Sequence, residues 1–361
     1  MKTKMMAVYF DSNRNAMGDF YKNLVNHFAC KENVIVVIPS AYDVEEFEDD
    51  FLLKIREDVS CQGNKFKRLF KLYDFVRKIN GIVLKYNITR LYFQVDQFVY
   101  DYFLLFSNGN LRTTVWVHDV MVHDGEGGSA KIKKKLTKHL LFPRIERFVV
   151  SYKKGIDEFG VKYGWKYKNK VEVIYLPRLA ELEFEDIKNT DFDIVYDYIF
   201  YGRIERYKGI DLLLEAMNDV SMKNIKLLIV GRGREDIIIK KKVDSMSNVE
   251  FINSYVSNRD LAKYIKKSRC VILPYRSATG TQTIQVANYY GKIVLATRVG
   301  CFPEYIKDGV NGRFIKEFSK TAIVEAMLKQ QSDRNEYCID EQFNIFNLNN
   351  TVEKLQRAVS G

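Results

Sequence analysis

Three short stretches of this 361-residue chain carry groups able to hold an anion. In Gly202-Arg203-Ile204-Glu205-Arg206-Tyr207-Lys208-Gly209 two cations flank a turn, so both reach one anion, and the guanidinium can bind it through two parallel N–H groups. Gly231-Arg232-Gly233 places small residues where a backbone can approach a ligand closely. Ser277-Ala278-Thr279-Gly280-Thr281 is a small-residue loop between an apolar run ending at Pro274 and a helix-like run, Gln282 to Tyr290, closed by Gly291. A strand, such a loop and a helix start direct backbone N–H groups and the positive end of a helix dipole at one point. The chemistry these residues suit is the binding of phosphate. Each stretch also has a bland reading, as surface charges or turn glycines; their joint placement at successive strand ends favours the functional one.

A fourth stretch, His118-Asp119 followed by His123-Asp124-Gly125-Glu126, holds two histidines and three acids within nine residues. The spacing is not that of a zinc site, so no metal is expected. A histidine at the end of a strand can serve as a polar contact or an acid–base group. The spacing alone favours a histidine that caps local structure. Asp191-Phe192-Asp193 has the form of a metal-binding pair but follows Lys188-Asn189-Thr190 rather than a buried strand, and is set aside.

These residues need strands that end in loops, and the chain supplies them. Met6–Phe10 and Asn33–Pro39 read as strands around a helix with Phe20, Leu24, Val25 and Phe28 on one face. The turn between them, Asp11 to Gly18, lacks the GxGxxG dinucleotide fingerprint. A basic amphipathic helix is expected over Lys65–Tyr86, with Phe66, Leu69, Leu72, Tyr73, Val76, Ile79 and Val83 as its apolar stripe. Strands follow at Arg90–Val95, Thr113–His118, Phe148–Ser151 and Val171–Leu176, with an aromatic-rich helix at Phe98–Phe106. From Asp197 the alternation resumes: strands Tyr198–Tyr201, Lys226–Val230, Val249–Ile252, Cys270–Leu273 and Ile293–Ala296, and helices Ile210–Met217, Glu235–Val243, Asp260–Lys266 and Gln282–Tyr290. Continuous apolar strands alternating with helices predict an α/β protein of two doubly wound, Rossmann-like domains with parallel sheets, facing across a cleft. The domains are placed at 1–178 and 190–339, with a last helix within 340–361.

The length suits two domains, and 47% apolar with 29% charged residues is ordinary for a soluble chain. No apolar run approaches a transmembrane helix, and the N-terminus reads as a first strand rather than a secretory signal. Five scattered cysteines without a CxxC pair point to a reducing compartment, hence the cytoplasm. A net charge of +11 calls for an anionic partner. Lys131–Arg147 is strongly basic with Ile132, Leu136, Leu140 and Leu141 on one side, read either as a helix on an anionic membrane surface or as a solvated domain face. No nucleic-acid module is recognised, so nucleic acid is not an expected partner.

The segments YGRIERYKGIDLLLEAM (201–217), LLIVGRG (227–233), NVEFINSYV (248–256), VILPYR (271–276), ANYYGKIVLATRVGCFPEYIKDGVNGRFI (287–315) and, more weakly, VHDVMVHDGE (117–126) resemble the family 4 glycosyltransferases of the GT-B fold. The second half is covered almost throughout; the first matches in layout and around His118. The resemblance implies a retaining glycosyltransferase of the hexosyl class, using a nucleotide-sugar donor, UDP- or GDP-linked, with neither metal nor cofactor. It implies that Arg203 and Lys208 bind the donor diphosphate, with Gly202, Gly231, Gly233 and the Gly280-Thr281-Gln282-Thr283 helix start around the donor. His118 falls where the family has a histidine beside the reacting sugar, and Gly18, Asp119 and His123 fall on the acceptor side. The last helix, Thr351–Val359, would cross back to the first domain, as is usual for the fold. The basic, aromatic first half points to a glycan or lipid-linked acceptor, met at the inner face of the membrane.

One departure stands out. The family commonly carries two glutamates eight residues apart around this loop and helix; the aligned positions are Ala278 and Val286, with Gln282 and Gln285 as nearby polar residues. The loss points to a different way of holding the sugar, or to a non-catalytic GT-B-like partner of an active enzyme. A GT-B epimerase is a further alternative.

Overall fold

The computed structural model describes residues 4–9, 16–56, 65–95, 111–118, 120, 142–178, 182–333, 339 and 346–360, with backbone alone for 16, 65–69, 72 and 95. The chain divides into two compact units, Met1–Tyr175 with Asn347–Gly361, and Leu176–Phe346.

The first unit is built on a seven-stranded parallel sheet, β1 (Met5–Val8), β2 (Val34–Ile38), β3 (Leu53–Arg56), β4 (Arg90–Val95), β5 (Arg112–Val117), β6 (Ile145–Val150) and β7 (Val171–Val173), in the order β3-β2-β1-β4-β5-β6-β7. Met6 of β1 pairs with Ile35 on one side and Leu91 on the other. The β-branched run Val34-Ile35-Val36-Val37-Ile38 is buried throughout, as a strand covered on both faces requires. The helix Lys65–Tyr86 packs Phe75, Val76, Ile79 and Val83 into a core shared with Val8, Val37, Phe93 and Val115. Tyr73, expected on that stripe, is 55% exposed, because the buried arc passes through Phe75 instead. The last helix, Leu348–Ser360, belongs to this unit: the Thr114 hydroxyl donates to the Ala358 carbonyl (3.3 Å) and Gln356 exchanges hydrogen bonds with Ala29. The Phe98–Phe106 helix, residues 11–15 of the first turn and residues 131–141 of the basic stretch lie outside the described residues.

The second unit holds a six-stranded parallel sheet, β8 (Tyr196–Tyr201), β9 (Leu227–Val230), β10 (Val249–Ile252), β11 (Ser268–Leu273), β12 (Ile293–Thr297) and β13 (Gly312–Ile315), ordered β10-β9-β8-β11-β12-β13. The order reverses between β8 and its neighbours β9 and β11, which is the switch point where open α/β sheets bind ligands at the strand carboxyl ends. The helix Ile210–Met217 buries Ile210, Leu213, Leu214 and Met217, a 3.6-residue period. β7 ends at Val173, earlier than the Leu176 expected, and the chain from Leu176 to Phe346 belongs to the second unit.

Candidate active site

The carboxyl ends of β8, β9 and β11 are locked together before any ligand is considered. β8 runs into Gly202, and the Gly202 amide donates to the Val230 carbonyl (3.0 Å) while the Ile204 amide donates to the Arg232 carbonyl (3.0 Å). A Cβ on Gly231 (φ +152°) would overlap the Gly202 carbonyl, and one on Gly233 would overlap the Ile204 carbonyl. The close backbone approach that these glycines permit includes that of the chain's own neighbouring loop.

The turn that follows is equally constrained. Arg206–Lys208 forms one 3₁₀ turn ended by Gly209 in the left-handed region (φ +71°), where a side chain would overlap the Pro274 carbonyl. From the loop after β11, the Arg276 guanidinium binds both oxygens of Asp211 (2.8 and 2.6 Å) and the Arg206 carbonyl (2.6 Å). The Arg276 amide donates to the Tyr207 carbonyl (2.7 Å).

Lys208 turns inward from this turn. It is 8% exposed, and its Nζ donates to the Tyr275 hydroxyl at 2.5 Å and lies 4.3 Å from the centre of that ring. Burial, with the Arg203 guanidinium nearby, pulls the amine down to about 7, against a smaller opposing pull from Glu205. Arg203 itself is exposed. Tyr275 is buried, which drives its phenol well above the ordinary value, against a smaller opposing pull from the Thr283 side chain. Thr283 in turn meets the Thr281 hydroxyl (3.0 Å), and the Tyr201 hydroxyl donates to the Thr283 carbonyl (2.8 Å). Two polar pairs thus stand here, Lys208 with Tyr275 from the ends of β8 and β11, and Thr281 with Thr283 at the start of the helix Thr283–Tyr289.

The helix start differs from its expected form. The Thr283 amide is already capped by the Thr281 hydroxyl (3.1 Å), and the helix has seven residues, so it offers fewer unclaimed donors and a weaker dipole than expected. Gln282 donates to the Pro177 carbonyl (3.1 Å) and Gln285 to the Leu176 carbonyl (3.1 Å). These two side chains hold the segment entering the unit; neither amide nitrogen stands in for a missing acid. Ala278 is 6% and Val286 3% exposed, so both positions aligned with the family glutamates face packed protein. Gly280 sits half-buried in the loop between them.

In the first unit, His118 lies just past β5, buried among aromatic rings: stacked on Trp116 (centroids 5.6 Å apart) and edge-on to Phe20 (5.4 Å). Neither ring nitrogen has a hydrogen-bond partner among the described residues, and burial pulls the imidazole down to about 3, so it is neutral at pH 7. Gly18, in the first turn of the helix Ala16–Asn26, has the Tyr42 phenol where a side chain would stand, and through Phe20 that helix reaches His118. Asp119, His123, Asp124 and Glu126 lie outside the described residues. Among the described residues no three His, Cys, Asp or Glu side chains cluster as a metal site.

Sequence reasoning missed Tyr275 as a member of this group. It follows Pro274 directly beyond an apolar strand, but nothing in that spacing shows that its hydroxyl meets a lysine 67 positions away.

Residues 184–341 match the family model of glycosyl transferases group 1. Across 99% of this chain and 100% of the other, the structure superposes on Anabaena HepE, solved with UDP and glucose, at a TM-score of 0.74 and 11% identity. The fold is GT-B. Among curated relatives, a Methanocaldococcus jannaschii protein described as an uncharacterized glycosyltransferase is 27% identical over 167 residues, 45% of this chain and 44% of that one. A GDP-mannose:glycolipid 4-beta-D-mannosyltransferase of Xanthomonas campestris is 27% identical over 101 residues, 27% of this chain and 29% of that one. The chain thus spans less than half the length of these curated relatives, while the GT-B likeness extends over both units.

Proposed function

We propose that this protein is a glycosyltransferase that moves a sugar from a nucleotide-sugar donor to a glycan or lipid-linked acceptor. The observation that carries the reading is Lys208: a cation buried at a sheet's switch point, beside Arg203, with a phenol rather than a carboxylate as its hydrogen-bond partner. A buried lysine without an anion is unfavourable by itself and favourable once a diphosphate arrives. Departure of a nucleoside diphosphate from an anomeric carbon builds charge on the leaving phosphate, and Lys208 and Arg203 are the groups that stabilise it.

In this reading the transfer needs no metal. The anomer is retained by attack from the face the diphosphate leaves, a leaving phosphate oxygen taking the acceptor hydroxyl proton. His118, neutral at working pH, offers the sugar a hydrogen bond rather than a charge. A UDP- or GDP-linked donor is supported by the UDP of the HepE complex and the GDP-mannose in the name of the Xanthomonas relative, and a lipid-linked acceptor by that same name. No helix among the described residues is long and apolar enough to cross a membrane; we place the protein at the inner membrane face, through the basic stretch that ends at Arg147.

Incubation with a panel of UDP- and GDP-sugars, read as nucleoside diphosphate release in the presence of a glycolipid extract, tests this. Release is expected from one donor, and Lys208→Ala or Arg203→Ala lowers kcat/KM by roughly 10²-fold. Near-wild-type turnover in either variant would remove the assignment. The buried Ala278 and Val286 favour a second reading, a non-catalytic GT-B-like partner; binding of a nucleotide sugar without release under any acceptor condition would select it.

A further inference from the structure

Lysine has a long, four-carbon stem and three rotatable donors, so a buried lysine needs something to fix where its charge points. Resting on the donor-site reading above, the geometry points to Tyr275 as the positioning residue of Lys208: its hydroxyl aims the lysine Nζ.

Tyr275 is itself immobilised. Its ring lies against Phe302 (5.2 Å), Tyr207 (6.1 Å) and Phe200 (6.3 Å), and its carbonyl accepts from the Thr297 hydroxyl (2.6 Å). Its hydroxyl is the one hydrogen-bond partner of the Lys208 Nζ among the described residues. A phenol has one hydrogen and two lone pairs. When Lys208 is charged it donates to the phenol oxygen. When Lys208 is neutral, its lone pair can accept the phenol's hydrogen. The charge on Lys208 therefore sets the direction of the hydrogen bond it shares with Tyr275. The charged and titratable groups facing the lysine are Arg203, Glu205 and Tyr207 from the loop after β8 and Tyr275 from the loop after β11; Tyr201 and Cys301 face Tyr275. Glu205 is the only acid in the set, so the phenol oxygen is the main neutral stabiliser of the ammonium.

The test is Tyr275→Phe, which keeps the ring packing and removes the hydroxyl. Binding of UDP-glucose and GDP-mannose, whose diphosphates do not titrate near neutrality, is measured by calorimetry from pH 6 to 9. In the wild type, affinity falls as pH rises past the titration of the unliganded lysine, near 7. In Tyr275→Phe the ammonium has lost its acceptor, so affinity at pH 7 drops by about tenfold and the break moves to lower pH. An unchanged break, with or without weaker binding, assigns Tyr275 a packing role and overturns the proposal. If the wild type binds neither nucleotide sugar, the donor-site reading fails on its own. The positioning claim is then decided by the 13Cε titration of Lys208, assigned with Lys208→Arg. A downward shift in Tyr275→Phe upholds it, and coincident curves overturn it.

Discussion

His118 lies almost parallel to Trp116, with 13° between the ring planes, and makes no hydrogen bond among the described residues. An imidazole held this way pays off only where a neutral ring is wanted, and it makes the fold sensitive to acid. Its folded value is about 3 against an unfolded 6.5. Between those limits the unfolded chain binds a proton that the folded chain does not, so stability falls as pH falls. His118→Phe removes this contribution. We expect the wild type to lose roughly 2 kcal/mol more than the variant between pH 6.5 and 4.5, read from urea midpoints. Parallel losses in the two proteins would contradict the buried neutral ring.

Lys208 has the same sign and the same first cause, burial of the charged form. Its folded value, about 7, lies below the ordinary 10.5, so the unfolded chain holds the extra proton between those limits and stability rises with pH across that window. Below pH 7 the full cost of the buried ammonium is present. Lys208→Met, similar in shape and uncharged, is expected to be more stable than the wild type at pH 7, by a few kcal/mol, with the gap closing toward pH 10.5. Denaturant unfolding at the two ends of the window checks it. Stabilisation on removing a cation, together with loss of nucleotide binding, is the mark of a residue kept for its ligand.

Restoring the family acids is not expected to restore anything. Ala278 and Val286 are buried, and the Ala278 carbonyl accepts from the Cys301 amide and lies where a side chain on Gly300 would stand. Val286→Glu places a carboxyl in packed protein, where it stays protonated or distorts the helix. The expected result is a loss of about 3 kcal/mol or more, seen as a lower Tm, with no gain in turnover. A stable and more active Val286→Glu would show that the helix can turn that position toward a ligand.

Gln285 offers a milder test. Its side-chain nitrogen donates to the Leu176 carbonyl in a buried setting, so Gln285→Ala leaves that carbonyl unpartnered at a cost of about 1–3 kcal/mol. Gln282→Ala, half-exposed, is expected to cost less. Equal and negligible shifts in Tm would mean that water replaces both bonds.

Where buried strands were concerned, apolar runs were a sufficient guide: Val249–Ile252 and the helix Ile210–Met217 have the bounds their patterns predict. β3 and β13 were not recognised as strands because both are sheet edges with half-buried residues, which breaks the apolar run. Arg203 and Lys208 could be picked out by charge and spacing around a turn. Tyr275 could not, since its partner comes from another strand end, and the roles of Gln282 and Gln285 depend on a segment more than a hundred positions earlier. Local chemistry was readable; which side chains meet was decided by the sheet order.

The glycine interlock between β8 and β9 bears on how relatives would be compared. Gly231 and Gly233 cannot accept a side chain without striking the Gly202 and Ile204 carbonyls, whatever the protein binds. Selection would therefore keep both glycines in catalytic and non-catalytic descendants alike. Their invariance across a lineage would record the closeness of two loops, and only positions such as Arg203 and Lys208, which the fold tolerates losing, would report whether the activity had been retained.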